Sequence, residues 1–261
     1  MRAFLRPNPR PDASLRLIGF HHAGGSAATY FPLIRELPSD WDVLLLDLPG
    51  RGRRAGEPPH WAMADLIAQA CRDLEPWLDV PVALFGHSLG AILAVEVARW
   101  MLSRDAVRSP VWVGVSGRIA PSFQAIGRRK LHELDNESLL QTLIEMGGTP
   151  DQVRDVPEIR DRLLNTVRAD LCAVDSYRPD PSRSRLQCPL TTFAGSEDDW
   201  APPSAMRAWS SETEGSFDQR RLAGGHFYFL GDSFSELGWH ITDSVGSACT
   251  RGTPQLTGAD R

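Results

Sequence analysis

Six short apolar runs punctuate the chain: Leu15–Phe20, Asp42–Leu46, Val82–Phe85, Val111–Val115, Pro189–Ala194 and Arg220–Leu222. Each is only a few residues long, and most run into a turn rich in Gly, Ser or Asp, which is the pattern of buried strands. Apolar positions recur at helical spacing over Met63–Leu78, Ile92–Arg104, Pro203–Ser211 and Phe234–Gly246. This alternation predicts an α/β fold with a mostly parallel central sheet and helices on both faces. One stretch breaks the alternation. From about residue 128 to 177 there is no strand candidate, only the amphipathic stretches Asn136–Met146 and Glu158–Tyr177. Lying between the fourth and fifth strands, this stretch reads as a helical lid inserted over the edge of the sheet that carries the site. The polar end, about 247–261, reads as a frayed, flexible tail. The whole of residues 1–261 is read as one domain, without internal repeats.

Candidate chemistry enters at the third run. Val82–Phe85 leads into Gly86-His87-Ser88-Leu89-Gly90, and a helical run follows at once. A G-x-S-x-G sequence between strand and helix is a nucleophile elbow, with small residues letting the chain turn sharply and expose the serine hydroxyl. The helix N-terminus behind Ser88 offers backbone N–H groups to a developing anion. A serine hydroxyl needs a general base steadied by a carboxylate, and parallel α/β hydrolases supply these in the order Ser, Asp, His on later loops. The fifth strand is followed by Gly195-Ser196-Glu197-Asp198-Asp199, and the sixth by Gly224-Gly225-His226-Phe227. A Gly-x-x-Asp turn favours Asp198 as the acid, with Asp199 next. Of the seven histidines, His226 takes the base role by location. His87 reads as support for the turn, His21 and His22 as locally packed or hydrogen-bonded, and His60, His132 and His240 as solvated. The two oxyanion donors expected are the amides of Leu89 and of Ala23, the latter in the turn His21-His22-Ala23-Gly24-Gly25.

Composition narrows the class further. With 28 basic against 33 acidic residues and a net charge of −5, the chain does not read as a nucleic-acid binder. Four scattered cysteines form no metal-ligand spacing or C-x-x-C pair, so reduced thiols and no metal are expected. No signal peptide and no run of membrane-spanning length are read, so a soluble cytoplasmic protein is the expectation. No helix shows a sustained heptad, so the expectation is a monomer. The basic run Arg128-Arg129-Lys130 reads as a solvated helix start or as a surface for an acidic partner.

These segments together resemble the type II, or editing, thioesterases of polyketide and nonribosomal peptide biosynthesis. Phe20-His21-His22-Ala23-Gly24-Gly25 resembles the family's Phe-Pro-His-Ala-Gly-Gly opening, with His21 in place of proline. Leu48-Pro49-Gly50-Arg51-Gly52 is similar to its Pro-Gly-Arg-Gly segment, and Gly86–Ala91 to its Gly-His-Ser-Met-Gly-Ala elbow with Leu89 for Met. Ser116–Pro121, Met146–Pro150, Leu164–Asp170 and Gly224–Leu230 extend the likeness across the insertion and the last loop, with Asn165 near a position where proline is usual. The resemblance implies an α/β-hydrolase fold and hydrolysis of acyl or aminoacyl thioesters on the phosphopantetheine arm of an acyl or peptidyl carrier protein. The carrier would be met in trans, and no cofactor is required. A carboxylesterase, a product-releasing thioesterase and a non-catalytic carrier-binding module are the competing readings.

Overall fold

A computed structural model of the chain describes residues 3–104, 109–122 and 130–252. Its centre is one sheet of seven strands: β1 Phe4–Leu5, β2 Leu15–Phe20, β3 Trp41–Leu46, β4 Val82–His87, β5 Trp112–Ser116, β6 Leu190–Gly195 and β7 Phe217–Leu222. The spatial order is β1-β3-β2-β4-β5-β6-β7. All neighbours are parallel except β1 and β3, where Phe4 opposes Leu46. β2 to β6 are buried along almost their whole length, so they read as continuous apolar runs rather than as alternations.

The two-residue period of the strands still divides the core in two. Ile18, Leu44, Leu84 and Val113 point to the face covered by α1 (Met63–Leu74) and α2 (Leu89–Arg104). Leu17, Val43, Phe85 and Trp112 point to the other, against α6 (Phe234–Gly252). Helix α1 is amphipathic and buries Met63, Leu66, Ala70, Cys71 and Leu74. Helix α2 is buried on nearly every side from Leu89 to Ala98, which is why it lacks a polar face. No helix among the described residues is long and apolar enough to cross a membrane.

Three expectations change. Phe4–Leu5 adds an antiparallel edge strand that its two residues could not announce. The last helix continues past Gly246 to Gly252, so the expected frayed tail does not begin at 247; Ala248 is buried in the core and holds that turn down. Residues 253–261 lie outside the described residues. The predicted helix at 203–211 is one α turn, α5 (Pro203–Met206), continued by a 3-10 stretch from Arg207 to Glu212.

Between β5 and β6 lie α3 (Asn136–Glu145) and α4 (Pro157–Ser176); residues 128 and 129 are outside the described residues. Asp135 caps α3 by accepting the Ser138 amide at 2.9 Å. Pro157 opens α4 where its missing N–H is no loss. Leu131, Leu139, Leu140, Leu164 and Val167 give this pair a small core of its own.

The connectivity decides where a site can form. The chain leaves β2 toward β3 on one side and β4 toward β5 on the other, so the loops after these adjacent strands diverge at the carboxyl edge. Such a switch point leaves a crevice in α/β sheets.

Candidate active site

Ser88 stands at that crevice. Its φ of 55° is the one positive value among described non-glycine residues. A bulky neighbour would abolish the turn: a Cβ on Gly86 would lie 2.0 Å from the Gly90 carbonyl oxygen, and one on Gly90 2.2 Å from that of Phe20. The Ser88 amide donates to the Ser116 carbonyl at 2.8 Å, tying the elbow to the end of β5.

His226 and Asp198 meet behind it. His226 Nδ1 donates to Asp198 Oδ2 at 2.9 Å, and both residues are buried. Asp198 Oδ1 accepts the amides of Trp200 (2.8 Å) and Ala201 (3.0 Å). Burial works to raise this carboxyl; the hydrogen bond and charge of His226, with those two amides, outweigh it and hold Asp198 below the ordinary carboxylate value. Glu197 and Asp199 point to solvent, which separates them from the acid position.

Ser88, His226, Ala23, Gly24 and His22 line one cavity of about 70 Å³, roofed by Leu131, Leu143, Met146, Leu163, Val167 and Leu171 of the insertion and walled by Phe227. A neighbouring groove of about 490 Å³ shares Gly24 and Leu163 with it and opens past Gly50, Arg51, Ile159 and Arg162. A groove of about 840 Å³ lies at the opposite end of the sheet among Leu15, Pro81, Val111 and Pro189, which stand at the starts of strands. Its place is against a role in chemistry, since ligands of such sheets bind at the carboxyl ends.

Among the described residues, two backbone amides near Ser88 are left without a partner in the surrounding turns. Leu89 is the first helical residue after the elbow, so no preceding turn takes up its amide. In the β2 loop the Gly24 amide is taken by Asp170 and the Gly25 amide by the His22 carbonyl, while the Ala23 amide has no acceptor among the described residues.

Three more imidazoles crowd this region. Burial, then the charges of His226 and Arg51, push His22 down to about 3. His87 is lowered by burial and by His226 and His22; its Nδ1 is hydrogen-bonded to Ser116 Oγ at 2.8 Å, which in turn meets Tyr228. His21 is lowered by burial and Arg51 and bridges the loops, its Nδ1 donating to the His22 carbonyl at 2.7 Å and its Nε2 accepting from the Leu48 amide at 3.4 Å. All three are neutral at physiological pH. His60, His132 and His240 prove half-buried rather than solvated, and His132 bonds Asp175 at 2.6 Å. Lys130 is exposed and pairs with Glu133, while Arg128 and Arg129 lie outside the described residues.

A thioesterase-domain family model matches residues 15–245. The chain belongs to this thioesterase family. The thioesterase PikA5 of Streptomyces venezuelae is 36% identical to it over 250 residues, 95% of this chain and 86% of that protein. Among solved structures, the thioesterase RedJ from the prodiginine biosynthetic pathway in Streptomyces coelicolor superposes with a TM-score of 0.83 at 36% identity, covering 92% of this chain and 94% of RedJ. The type II thioesterase BorB from the borrelidin biosynthetic cluster gives a TM-score of 0.84 at 36% identity, covering 94% and 98%. The fold of this thioesterase is thus the α/β-hydrolase fold of those enzymes.

Two charged residues of the thioesterase's site escaped the reading of its sequence. Asp170 is fully buried and Arg51 nearly so, and they pair beneath the β2 loop. A signal existed. Leu163, Val167, Asp170 and Val174 share one helical stripe, and an acid on an otherwise apolar stripe requires a buried partner.

Proposed function

We propose that this thioesterase removes short acyl groups from the phosphopantetheine arm of a carrier protein by way of an acyl-serine at Ser88. The observation that carries the reading is His226, held by the buried Asp198, facing one small cavity together with Ser88. Ser88 Oγ attacks the thioester carbonyl as His226 Nε2 takes its proton, and Asp198 holds the opposite N–H and stabilises the imidazolium. The amides of Leu89 and Ala23 receive the negative charge on the former carbonyl oxygen. The C–S bond then breaks, and the sulfur leaves with the proton from His226. Its low basicity, with a thiol pKa of about 8.5, makes this departure easy. Water, deprotonated by the same His226, attacks the acyl-serine carbonyl; the C–Oγ bond breaks, Ser88 Oγ takes the proton back from His226, and the carboxylic acid is released. Side chains and substrate account for every proton, so the proposed reaction requires no cofactor.

The roofed cavity suits the acyl group, and the adjoining groove past Gly50 and Arg51 suits an extended arm arriving from outside. PikA5, RedJ and BorB, each a named thioesterase, support a thioester as the substrate, and an assembly-line carrier is the partner inferred to present it. Single-turnover hydrolysis of a short acyl group on carrier protein, on coenzyme A and on p-nitrophenol, by wild type and Ser88→Ala, tests the proposal. Fast turnover that favours the carrier and disappears with Ser88 is expected. Equal or faster turnover of the oxygen ester would point to a general esterase, and activity surviving Ser88→Ala would overturn the assignment of the nucleophile.

A further inference from the structure

We propose that Asp170, on the helix covering the site, is a positioning residue that aims the Ala23 amide of the oxyanion pocket. The inference rests on the acyl-serine reading above and adds a role for the insertion that roofing the cavity does not require.

Helix α4 meets the β2 loop at two points one turn apart. Val167 packs so closely on Gly24 that a Cβ there would lie 2.1 Å from Val167 Cγ2, and Gly24 has a φ of 73°. At the next turn, Asp170 Oδ2 accepts the Gly24 amide at 2.7 Å. The carboxylate is itself immobilised. Arg51 grips it with both terminal nitrogens, Nη2 reaching Oδ1 at 3.0 Å and Nη1 meeting Oδ2. Arg51 is braced in turn, since its Nε and Nη2 also donate to the Pro49 carbonyl at 3.2 and 2.9 Å. A fully buried acid on a rigid helix, locked by a fork-shaped partner, thus presents one lone pair to one loop amide.

That amide matters because peptide units are planar. The unit carrying the Ala23 N–H also carries the His22 carbonyl, which accepts from Gly25 N at 3.0 Å and from His21 Nδ1 at 2.7 Å. The next unit carries the Gly24 N–H held by Asp170. Ala23 is therefore clamped at both adjoining peptide planes, and its own N–H is the donor left over in a loop that lines the cavity with Ser88. Without Asp170 the second plane is free to rotate, the His22–Gly25 turn loosens, and the Ala23 donor loses its aim.

Removing Asp170 alone would strand a buried guanidinium, so the test neutralises the pair first. In an Arg51→Met background, Asp170→Asn keeps an acceptor for Gly24 N–H, whereas Asp170→Leu removes it at similar volume. Relative to the asparagine variant, the leucine variant is expected to lose about 10²–10³-fold in kcat on the carrier-bound substrate with KM within about threefold, the cost of one misplaced oxyanion donor. The asparagine variant shares the Arg51→Met change and is the reference for this loss, and the two variants should have a similar Tm. Equal kcat in the two double variants, or a loss confined to KM, would overturn the proposal. Should the leucine variant not fold, formate added to Asp170→Ala with Arg51 intact supplies the missing carboxylate. Recovery of at least about tenfold in kcat is expected, and recovery of Tm without kcat would mean a structural role only. Ser88→Ala alongside separates the two levels: activity independent of Ser88 in the wild type defeats the acyl-serine reading, while Ser88-dependent activity with matching double variants defeats only this one.

Discussion

A serine held at φ 55° stores on the order of 1–3 kcal/mol of backbone strain, and persists only where its surroundings over-determine it. Here the surroundings are the Gly86–Gly90 contact, the β5 carbonyl and a shell of aromatic rings, with His87 lying 4.8 Å from both His226 and Phe229 between ring centres. That buried shell has a consequence for pH. His21, His22 and His87 are neutral in the native state, His22 with a pKa of about 3. In the unfolded chain an imidazole takes up a proton below about pH 6.5. Between those values the unfolded state binds more protons, so stability rises with pH across the window and is complete above it. Asp198 acts lower: held below its ordinary value, it contributes stability above the unfolded carboxylate pKa of about 3.9, lost as pH falls further. A slope between pH 5 and 7 therefore belongs to the imidazoles. From neutrality to pH 5 His22 alone should cost about 2 kcal/mol of stability. Urea unfolding at pH 5 and 7.5 should show the loss, and His22→Asn should reduce it by about 2 kcal/mol, leaving the share of His21 and His87. An unchanged midpoint would mean these rings are charged in the native state.

At the scale of elements, the parallel strands and the elbow were legible because each is a short apolar run ended by its own turn. The gathering of Ser88, Asp198 and His226 at one edge was legible because loops after successive parallel strands return there. What could not be read depends on partners distant in sequence. Phe4–Leu5 is a strand only because Leu45 and Leu46 lie beside it. The last turns of α6 contain Ser, Cys and Thr, poor helix formers, and stand because Ala248 is buried and Thr250 Oγ bonds the carbonyls of Gly246 and Ser247. Asp170 and Arg51 pair across 119 residues, a separation that spacing rules do not address. The helices of the insertion also set a measurable limit. Leu143 and Met146 follow one another along α3 and its end, and close a cavity of about 70 Å³ over Ser88. That space admits an acyl chain of a few heavy atoms, so kcat/KM should fall by at least about tenfold from propionyl to octanoyl thioesters, since each buried CH₂ forced into occupied volume costs about 1–3 kcal/mol. Met146→Ala should move the optimum to longer chains. Equal rates across the series in wild type would show that the roof does not measure the acyl group.

For the whole molecule, the sheet separates stability from chemistry along its own axis. Arg16 stands near the start of β2 and Phe20 at its end, so the two edges are more than a dozen ångströms apart at about 3.3 Å per residue. At the amino edge the fully buried Asp42 accepts from Arg6 Nε at 2.7 Å and Arg16 Nε at 2.9 Å, and both guanidiniums lie over the Trp77 ring. At the carboxyl edge Asp198, also buried, is paired instead with an imidazole, the general base of the proposed reaction. Substituting the two acids by their amides should therefore give opposite results. Asp42→Asn leaves Arg16 buried with only the exposed Asp79 as its anionic partner, a loss of about 3 kcal/mol. For a domain of this size that lowers Tm by roughly 6–12 °C, with kcat at 25 °C expected unchanged because Asp42 stands at the opposite edge of the sheet from Ser88. Asp198→Asn keeps the shape and the Trp200 and Ala201 amides in place. It favours the wrong tautomer of His226, however, and should lower kcat by about 10⁴ while Tm shifts by only a few degrees. Calorimetry and single-turnover kinetics on the two variants measure both axes at once. If Asp42→Asn lowered kcat as steeply as Asp198→Asn, the two edges would be energetically one unit. The site could then no longer be described as loops carried on an independently stable sheet.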